Sequence, residues 1–440
     1  MSNAPRFLLY LFAELAMIDF LYPTLRSIVG HRTTRQAMSI SLETLAGFRH
    51  QVESEWRDNI APFWLRYAPD EKYGGFHGWI TNDLQIDEQA AKGVILNSRI
   101  LWTFAHAYKL YQDANHRQLA ERAYVYLTEN FIDQDYGGVF WTLDYRGQPL
   151  DTKKRTYAQA FALYGLTEFY LATGEHTALE KASAIFDLLE SRCRDPNHEG
   201  YFETFERDWT LANDQRLSEV DEDEKKSMNT HLHVMEAYST LARTGVDPRV
   251  RTRLHAVIDI FLTHIIDRHQ ASQRMFFDER WISTGARVSF GHDIEASWLL
   301  CEATEVLNDG ELSNRVRDVA LELAQSVHDN GLDVDGALLY EADATGIIDD
   351  DKHWWTQTEA VVGFINAYQL SGNESFLTAA LRVWEFINEK IVDKENGEWF
   401  WKVSRSGVPA RDMPKLSQWK CPYHNGRMCF EVSKRLSDML

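Results

Sequence analysis

Apolar residues recur at three- and four-residue spacing from Ile95 to Leu110 and again from Gln118 to Phe131. The same pattern returns from Tyr157 to Leu171 and from Ala178 to Leu189. Such spacing puts the apolar side chains on one face of a helix, so each stretch predicts an amphipathic helix and each pair a helix hairpin. Between hairpins lies a short glycine-aromatic element. It reads Tyr73-Gly74-Gly75-Phe76, then Tyr136-Gly137-Gly138-Val139-Phe140-Trp141, Glu199-Gly200-Tyr201-Phe202, Met275-Phe276-Phe277, Gly336-Ala337-Leu338-Leu339-Tyr340 and Gly397-Glu398-Trp399-Phe400-Trp401. Counted from Gly75 through Gly138, Gly200, Met275 and Gly336 to Gly397, the steps are 63, 62, 75, 61 and 61 residues. An acidic residue precedes several copies: Asp70, Asp133, Asp195 and Asp393. Six copies at a near-constant period mark a repeat architecture. Two helices and a short extended loop fill one period, so the expected fold is all-α, six helix hairpins closed into a ring. The glycine-aromatic loops would gather at one end as short β-loops, where glycine serves a tight bend and the aromatics a half-buried strand.

The first residues stand outside this period. Phe7 to Met17 is apolar, but Glu14 interrupts it and Asp19 follows. A membrane-spanning helix needs roughly 20 apolar residues, and a signal peptide would need a basic start and a small-residue cleavage site. Residues 1–37 therefore read as an N-terminal extension, disordered or lying ahead of a start at Met38, and residues 38–440 as a single domain. No Pro/Gly/Ser linker divides the latter.

Composition narrows the partners. The formal net charge is −20, which opposes nucleic-acid and anionic-membrane binding, because both need basic surface. It suits a neutral small-molecule ligand. Cys193, Cys301, Cys421 and Cys429 show no metal or redox spacing, which points to reduced thiols in a cytoplasm. The chain is expected to act as a monomer or homodimer.

Polar residues collect at one phase of the repeat, where each inner helix opens. The clusters are Asn97-Ser98-Arg99, Tyr157-Ala158-Gln159, Asn229-Thr230-His231-Leu232-His233, Gly291-His292-Asp293-Ile294-Glu295, Trp354-Trp355-Thr356-Gln357-Thr358-Glu359 and Tyr423-His424-Asn425-Gly426-Arg427. In a closed ring these converge on one mouth, with helix N-termini directed there. Aromatic faces and side-chain donors and acceptors together make a sugar pocket. Any one of these residues alone reads as structural; their matching phase in six repeats does not. His292 and Glu295 are three apart and share a face, as do Asn229 and His233, four apart. His231 and His233, two apart, diverge, which makes them a poor metal pair; His233, His292 and His424 from three helices are the remaining metal possibility. No metal is expected, given that poor geometry and histidine sufficing as a base, and no redox or phosphate cofactor, since neither a G-x-G-x-x-G nor a Walker A pattern occurs.

Four blocks carry a resemblance. Asn97-Ser98-Arg99-Ile100-Leu101-Trp102-Thr103-Phe104, Tyr157-Ala158-Gln159-Ala160-Phe161, Ser227-Met228-Asn229-Thr230-His231-Leu232-His233 and Ser289-Phe290-Gly291-His292-Asp293-Ile294-Glu295-Ala296-Ser297-Trp298 resemble the signature blocks of the cellobiose 2-epimerases, within the N-acylglucosamine 2-epimerase superfamily. The resemblance runs from about Met38 to the C-terminus. It implies an (α/α)6 barrel that interconverts glucose and mannose at the reducing end of β-1,4-linked disaccharides such as cellobiose, lactose and mannobiose. It also implies that His292 and His424 are the paired acid/base histidines, that His233 assists ring opening, and that Glu295 is the carboxylate partner beside the catalytic histidine. Arg99 and Asn229 would bind the reducing-end oxygens, Trp355 and Trp419 would be sugar platforms, and Asp221 a substrate-loop carboxylate. Tyr157 and Glu359 complete the expected substrate-binding set. One block departs from the family's usual Trp-Trp-Pro-Gln-Ala-Glu: here Thr356 replaces the proline and Thr358 the alanine, near the second sugar subsite.

The residue chemistry fits that implication. Epimerisation at C2 opens the ring, removes the proton beside the aldehyde to give a cis-enediolate, and returns a proton to the opposite face. Histidine exchanges protons near neutrality, Arg99 would stabilise the enediolate oxygen, and Glu295 would orient His292. A mannose isomerase or N-acylglucosamine 2-epimerase acting on monosaccharides is the alternative reading. An inverting glycosidase would need paired carboxylates, for which Asp293 with Glu359 is the only proposal, and the histidine-rich mouth argues against it.

Overall fold

In a computed structural model, residues 40–440 are described, except residue 220; the expected extension, residues 1–37, lies outside them. The first described hairpin arm is α1 (Leu42–Glu55), which continues through a π-helical turn into α2 (Ala61–Tyr67). Then follow α3 (Val94–Tyr111), α4 (Ala114–Tyr126), α5 (Thr156–Thr173), α6 (His176–Leu188), α7 (Met228–Ala242) and α8 (Pro248–Ile260). The chain continues as α9 (Phe290–Leu307), α10 (Gly310–Asn330), α11 (Trp354–Ser371), α12 (Glu374–Phe386) and α13 (Tyr423–Ser437). Leu42–Leu440 forms one compact unit. Among the described residues no helix is long and apolar enough to cross a membrane, and all four cysteines are buried free thiols.

The helices alternate between two rings. Inner helices α3, α5, α7, α9, α11 and α13 each pack on the next, and α13 packs back on α3. Outer helices α4, α6, α8, α10 and α12 pack on the inner helix that precedes each, and α1 packs on α13. The result is an (α/α)6 barrel whose sixth hairpin joins the start of the described chain to its end. Composition explains which helix goes where. In α5 the residues from Thr156 to Phe169 are buried without interruption, so the helix is enclosed on all sides and needs apolar or paired residues all round. In α10 only Leu312, Val316, Val319, Ala320, Leu323, Ala324 and Val327 are buried, one stripe at helical spacing.

The turns between inner and outer helices repeat as well. Gln112, Gly174, Asn308 and Gly372 end their inner helices in the left-handed conformation. The next residue in each case, Asp113, Glu175, Asp309 or Asn373, caps the outer helix by accepting a backbone N–H with its side chain.

Short β-ladders ring the opposite end, where the inner helices begin. Lys92–Gly93 pairs with Thr142–Leu143, Lys154–Arg155 with Thr204–Phe205, Lys226–Ser227 with Phe276–Phe277, Val288–Ser289 with Glu341–Asp343, and Lys352–His353 with Lys402–Val403. Each two-residue strand leads directly into an inner helix and pairs with a strand one repeat further on, so the ladders tie successive repeats together. The acidic residues seen in the repeat anchor these loops. Lys92 meets Asp70 at 2.7 Å, Lys154 meets Asp133 at 2.9 Å, Lys226 meets Asp195 at 2.9 Å and Lys415 meets Asp393 at 2.6 Å. Lys352 and Asp333, at 2.8 Å, supply a further copy that the sequence pattern did not reveal. All five pairs are buried, and opening one would strand a charge at a cost of about 3–5 kcal/mol.

Candidate active site

The first two turns of each inner helix set both the loop anchors and the cavity. Side chains two positions apart point about 200° apart around a helix, while those four apart nearly coincide. The fourth residue of an inner helix turns outward and grips the loop. Gln159 Oε1 accepts from Val139 N at 2.8 Å, His231 Nε2 from Tyr201 N at 2.9 Å, Asp293 Oδ1 from Gln273 N at 2.8 Å and Gln357 Oε1 from Leu338 N at 2.7 Å. This clamp is why the loops carry glycine. Gly138 has φ +67°, and a Cβ there would come within 2.7 Å of Gln159 Oε1; Gly200 has φ +77°, and a Cβ would meet His231 Nε2 at 2.7 Å. His231 accepts through Nε2 and gives its Nδ1 proton to Ser227 O at 2.7 Å, and burial pushes its pKa down to about 3. It is a neutral strut, and the divergence of His231 from His233 is realised.

The second and sixth residues face the barrel interior, and in α9 the third, His292, does so as well. Of the expected site residues, Arg99, Tyr157, Asp221, Asn229, His233, His292, Glu295, Trp355, Trp419 and His424 all line one cavity of about 320 Å³. Met275, Phe276 and Trp401 of the glycine-aromatic loops also line it. Glu359 does not line it; this carboxylate, expected to bind substrate, stands behind His424.

Three histidines present themselves in the same way. His424 Nδ1 lies 2.7 Å from Glu359 Oε1, His233 Nδ1 lies 3.0 Å from Glu236 Oε2, and His292 Nδ1 lies 2.8 Å from Ser289 Oγ. With Nδ1 tied back, each ring keeps Nε2 as its free nitrogen. Burial lowers all three: His292 to about 3, His233 in the same direction, and His424 well below the usual histidine value with help from Arg99 and Arg427. Burial thus favours the neutral imidazole, a base, at all three. His292 and His424 flank one ring: Trp355 has its centroid 4.7 Å from His292 and 5.7 Å from His424.

The expected contact between Glu295 and His292 is not made. Glu295 bonds Arg427 Nη2 at 2.6 Å instead, and the same nitrogen reaches Glu359 at 2.8 Å. Arg427 Nη1 contacts Glu236 and lies 2.5 Å from the Tyr423 hydroxyl. A buried guanidinium thus joins three carboxylates, two of which hold histidines. It brings Glu295 a full positive charge as well as N–H donors, which a neutral imidazole cannot. One cation among three anions leaves an excess of negative charge. Burial, then the charge on Glu359, lift Glu295 to about 8, and burial raises Glu359 as well. Glu236 escapes: against burial, Arg427, His233 and Tyr423 hold it down at about 2. Sequence reasoning missed Arg427, Glu236 and Ser289 as site residues. Glu236 lies three positions after His233, the same spacing that drew attention to His292 and Glu295, and could have been found by it.

Arg99 is the contrasting cation. It donates to the Tyr157 hydroxyl at 2.9 Å and packs over Phe161, 4.3 Å from its centroid. Among the described residues no carboxylate pairs with it, so its charge is free to meet an anion in the cavity. Asn229 Oδ1 likewise has no protein partner. Tyr157 lies 5.0 Å from His233 and 6.0 Å from Trp419, and Asp221 is held by Ser218 N at 2.8 Å and Ser218 Oγ at 2.9 Å. The departing Thr356 and Thr358 sit in the first turn of α11, not in a loop, where Thr356 Oγ1 donates to His353 O at 3.0 Å and Thr358 Oγ1 to Trp355 O at 2.6 Å. Those hydroxyls brace the turn that a proline would otherwise stiffen.

Glu295, Glu359 and His424 are close enough for three of their ligand atoms to lie within 4.8 Å of one another. Arg427 already bonds both carboxylates, so a protein cation fills the role an ion would take. This triad also differs from the three-histidine set considered from sequence.

Imidazoles, an unpaired guanidinium and aromatic faces thus line one cavity of an (α/α)6 barrel. The sequence pattern of the N-acylglucosamine 2-epimerase family matches residues 74–424, and the chain belongs to that family. It is 44% identical over 385 residues to cellobiose 2-epimerase of Bacteroides fragilis, covering 87% of this chain and 98% of that one. It is 41% identical over 390 residues to cellobiose 2-epimerase of Ruminococcus albus, covering 88% and 99%. The solved cellobiose 2-epimerase of Bacillus thermoamylovorans superposes with a TM-score of 0.85 at 37% identity, covering 89% of this chain and all of that one.

Proposed function

We propose that the protein interconverts glucose and mannose at C2 of the reducing end of β-1,4-linked disaccharides such as cellobiose, lactose and mannobiose. The observation that carries this reading is the pairing of His292 and His424 about the Trp355 ring, each with Nδ1 tied back, beside the unpaired Arg99.

In this mechanism the sugar lies on Trp355, and Trp419 and Tyr157 complete its aromatic surroundings. His233, fixed by Glu236, moves the proton between the anomeric hydroxyl and the ring oxygen that opens the ring. One of the pair His292 and His424 takes the C2 proton on Nε2 as the C2–H bond breaks. The electron pair moves into the C1–C2 bond, and O1 gains negative charge against Arg99 and Asn229. The other histidine, neutral in the resting site, takes a proton from solvent on Nε2 and gives it to the opposite face of C2. The first histidine returns its proton to solvent, and the reverse reaction uses the two in the opposite order. Glu359 suits His424 to carry the proton, because a carboxylate at Nδ1 compensates an imidazolium. Arg99 acts by charge placed before the reaction begins, which avoids reorganisation in the transition state.

Incubation with cellobiose, lactose, mannose and N-acetylglucosamine, followed by chromatography, tests the reading. Glucosyl-mannose from cellobiose is the expected product. A higher kcat/KM on mannose or N-acetylglucosamine than on every disaccharide would move the assignment to a monosaccharide enzyme.

A further inference from the structure

His353 enters neither the sequence analysis nor the mechanism, yet it lines the catalytic cavity. Its backbone is fixed on both sides. It pairs with Lys402 in a short ladder, its carbonyl accepts from Thr356 Oγ1 at 3.0 Å, and its neighbour Lys352 is anchored to Asp333 at 2.8 Å. Its ring is fixed as well, stacked on Tyr340 with centroids 3.9 Å apart and planes 16° from parallel. The residue is 9% exposed, and its buried Nε2 has no hydrogen-bond partner among the described residues. The other cavity histidines all have an Nδ1 partner; His353 has none. Burial keeps it neutral, with a pKa of about 3, so it offers one N–H donor and one acceptor nitrogen and no charge. That is the equipment for a hydroxyl group. Nε2 is closed off by protein, so Nδ1, which has no partner among the described residues, is the nitrogen left for what enters the cavity.

The position of the ring says which hydroxyl. The reacting sugar belongs between His292 and His424, around Trp355. From Trp355 the aromatic wall runs edge-on to Tyr340, at 6.1 Å and 87°, and only then to His353. Glu341 and Arg287, 3.9 Å apart, line the same cavity, and the charges of Glu341, Asp349 and Asp221 add to the burial that raises the Tyr340 phenol. We propose that His353 is a substrate-binding residue whose imidazole hydrogen-bonds a hydroxyl of the non-reducing sugar, and that it thereby favours disaccharides over monosaccharides. The proposal rests on the disaccharide reading above.

Steady-state kinetics on cellobiose with His353→Gln, His353→Met and His353→Phe tests it. Gln and Met have nearly the same length and shape, but only Gln forms hydrogen bonds; Phe retains the stack on Tyr340. His353→Gln is expected to retain KM within about twofold, while His353→Met and His353→Phe raise KM about tenfold, the size of one lost hydrogen bond, with kcat within about twofold. Inhibition by mannose, which lacks the second sugar, should be equal in all four proteins. Equal KM values for the Gln and Met variants, or an effect confined to kcat, would overturn the assignment and leave His353 a packing residue. No turnover of cellobiose by the unaltered enzyme is a distinct result, which removes the disaccharide reading and this proposal with it.

Discussion

His424 Nδ1 and Glu359 Oε1 lie 2.7 Å apart, both buried, on neighbouring inner helices. The contact fixes which nitrogen of His424 faces the cavity and gives an imidazolium a counter-charge. Glu359→Gln retains the shape but removes the charge. It is expected to lower kcat by about 10²-fold, in the range for a disturbed acid/base group, with KM changing less. Circular dichroism would show the fold retained. Unchanged kcat would mean that the carboxylate serves only Arg427.

Replacement of either catalytic candidate should be more selective. His292→Ala and His424→Ala each lower kcat by at least about 10²-fold, while cellobiose binding survives on Trp355, Trp419 and Arg99. In D₂O the unaltered enzyme places solvent deuterium at C2 of the product, read by NMR. A single-histidine variant that still exchanges the C2 proton of one epimer without inverting it assigns the remaining histidine to one face. Near-native turnover in both variants would remove the mechanism.

The two buried arginines should behave oppositely. Arg99 has no carboxylate partner among the described residues, so Arg99→Met strands no counter-charge. It is expected to leave the melting temperature unchanged or raised while lowering kcat by about 10²–10³-fold. Arg427→Met leaves Glu236, Glu295 and Glu359 without their shared cation, which costs about 3–5 kcal/mol and shows as a large fall in melting temperature. Equal thermal effects of the two variants would contradict this assignment of charge.

Protonation of Glu295 makes stability depend on pH with a definite sign. Its folded pKa, about 8, lies above the ordinary carboxylate value of 4.5, so between these limits the folded state binds more protons than the unfolded state. This group's contribution is full below about pH 4.5 and is lost as pH rises through about 8. The melting temperature of the unaltered protein should therefore fall relative to Glu295→Gln from pH 6 to pH 9, as calorimetry would show. A pH-independent difference would refute it. The depressed histidines shift activity the other way: the acid limb of kcat/KM should lie well below pH 6.5, because burial keeps His292 and His424 in the base form.

Arg427 takes the position a metal ion would fill between Glu295 and Glu359. Dialysis against EDTA should leave turnover unchanged. A collapse of activity restored by one divalent ion would require Arg427 to swing away.

The barrel was legible in the sequence because its signals are periodic. Helical spacing defined the hairpins, and the glycine-aromatic loops near every 62 residues marked their junctions. The common phase of six polar clusters is enough to put Arg99, Asn229, His292 and His424 at one mouth. The split between His231 and His233 was equally readable, since it depends only on the angle between residues two apart on a helix. Bonds between helices are not local properties, and there tertiary structure decided. Glu295 and His292 share a helical face, yet Glu295 turns to Arg427, 132 positions along the chain. Glu359, expected at the sugar, faces His424, 65 positions away, and Glu236 is bound from α13 across the barrel. Helix periodicity states which side chains look inward, but only the closed ring brings α7, α9, α11 and α13 within hydrogen-bonding distance. There, competition among buried charges for one guanidinium chooses the partners.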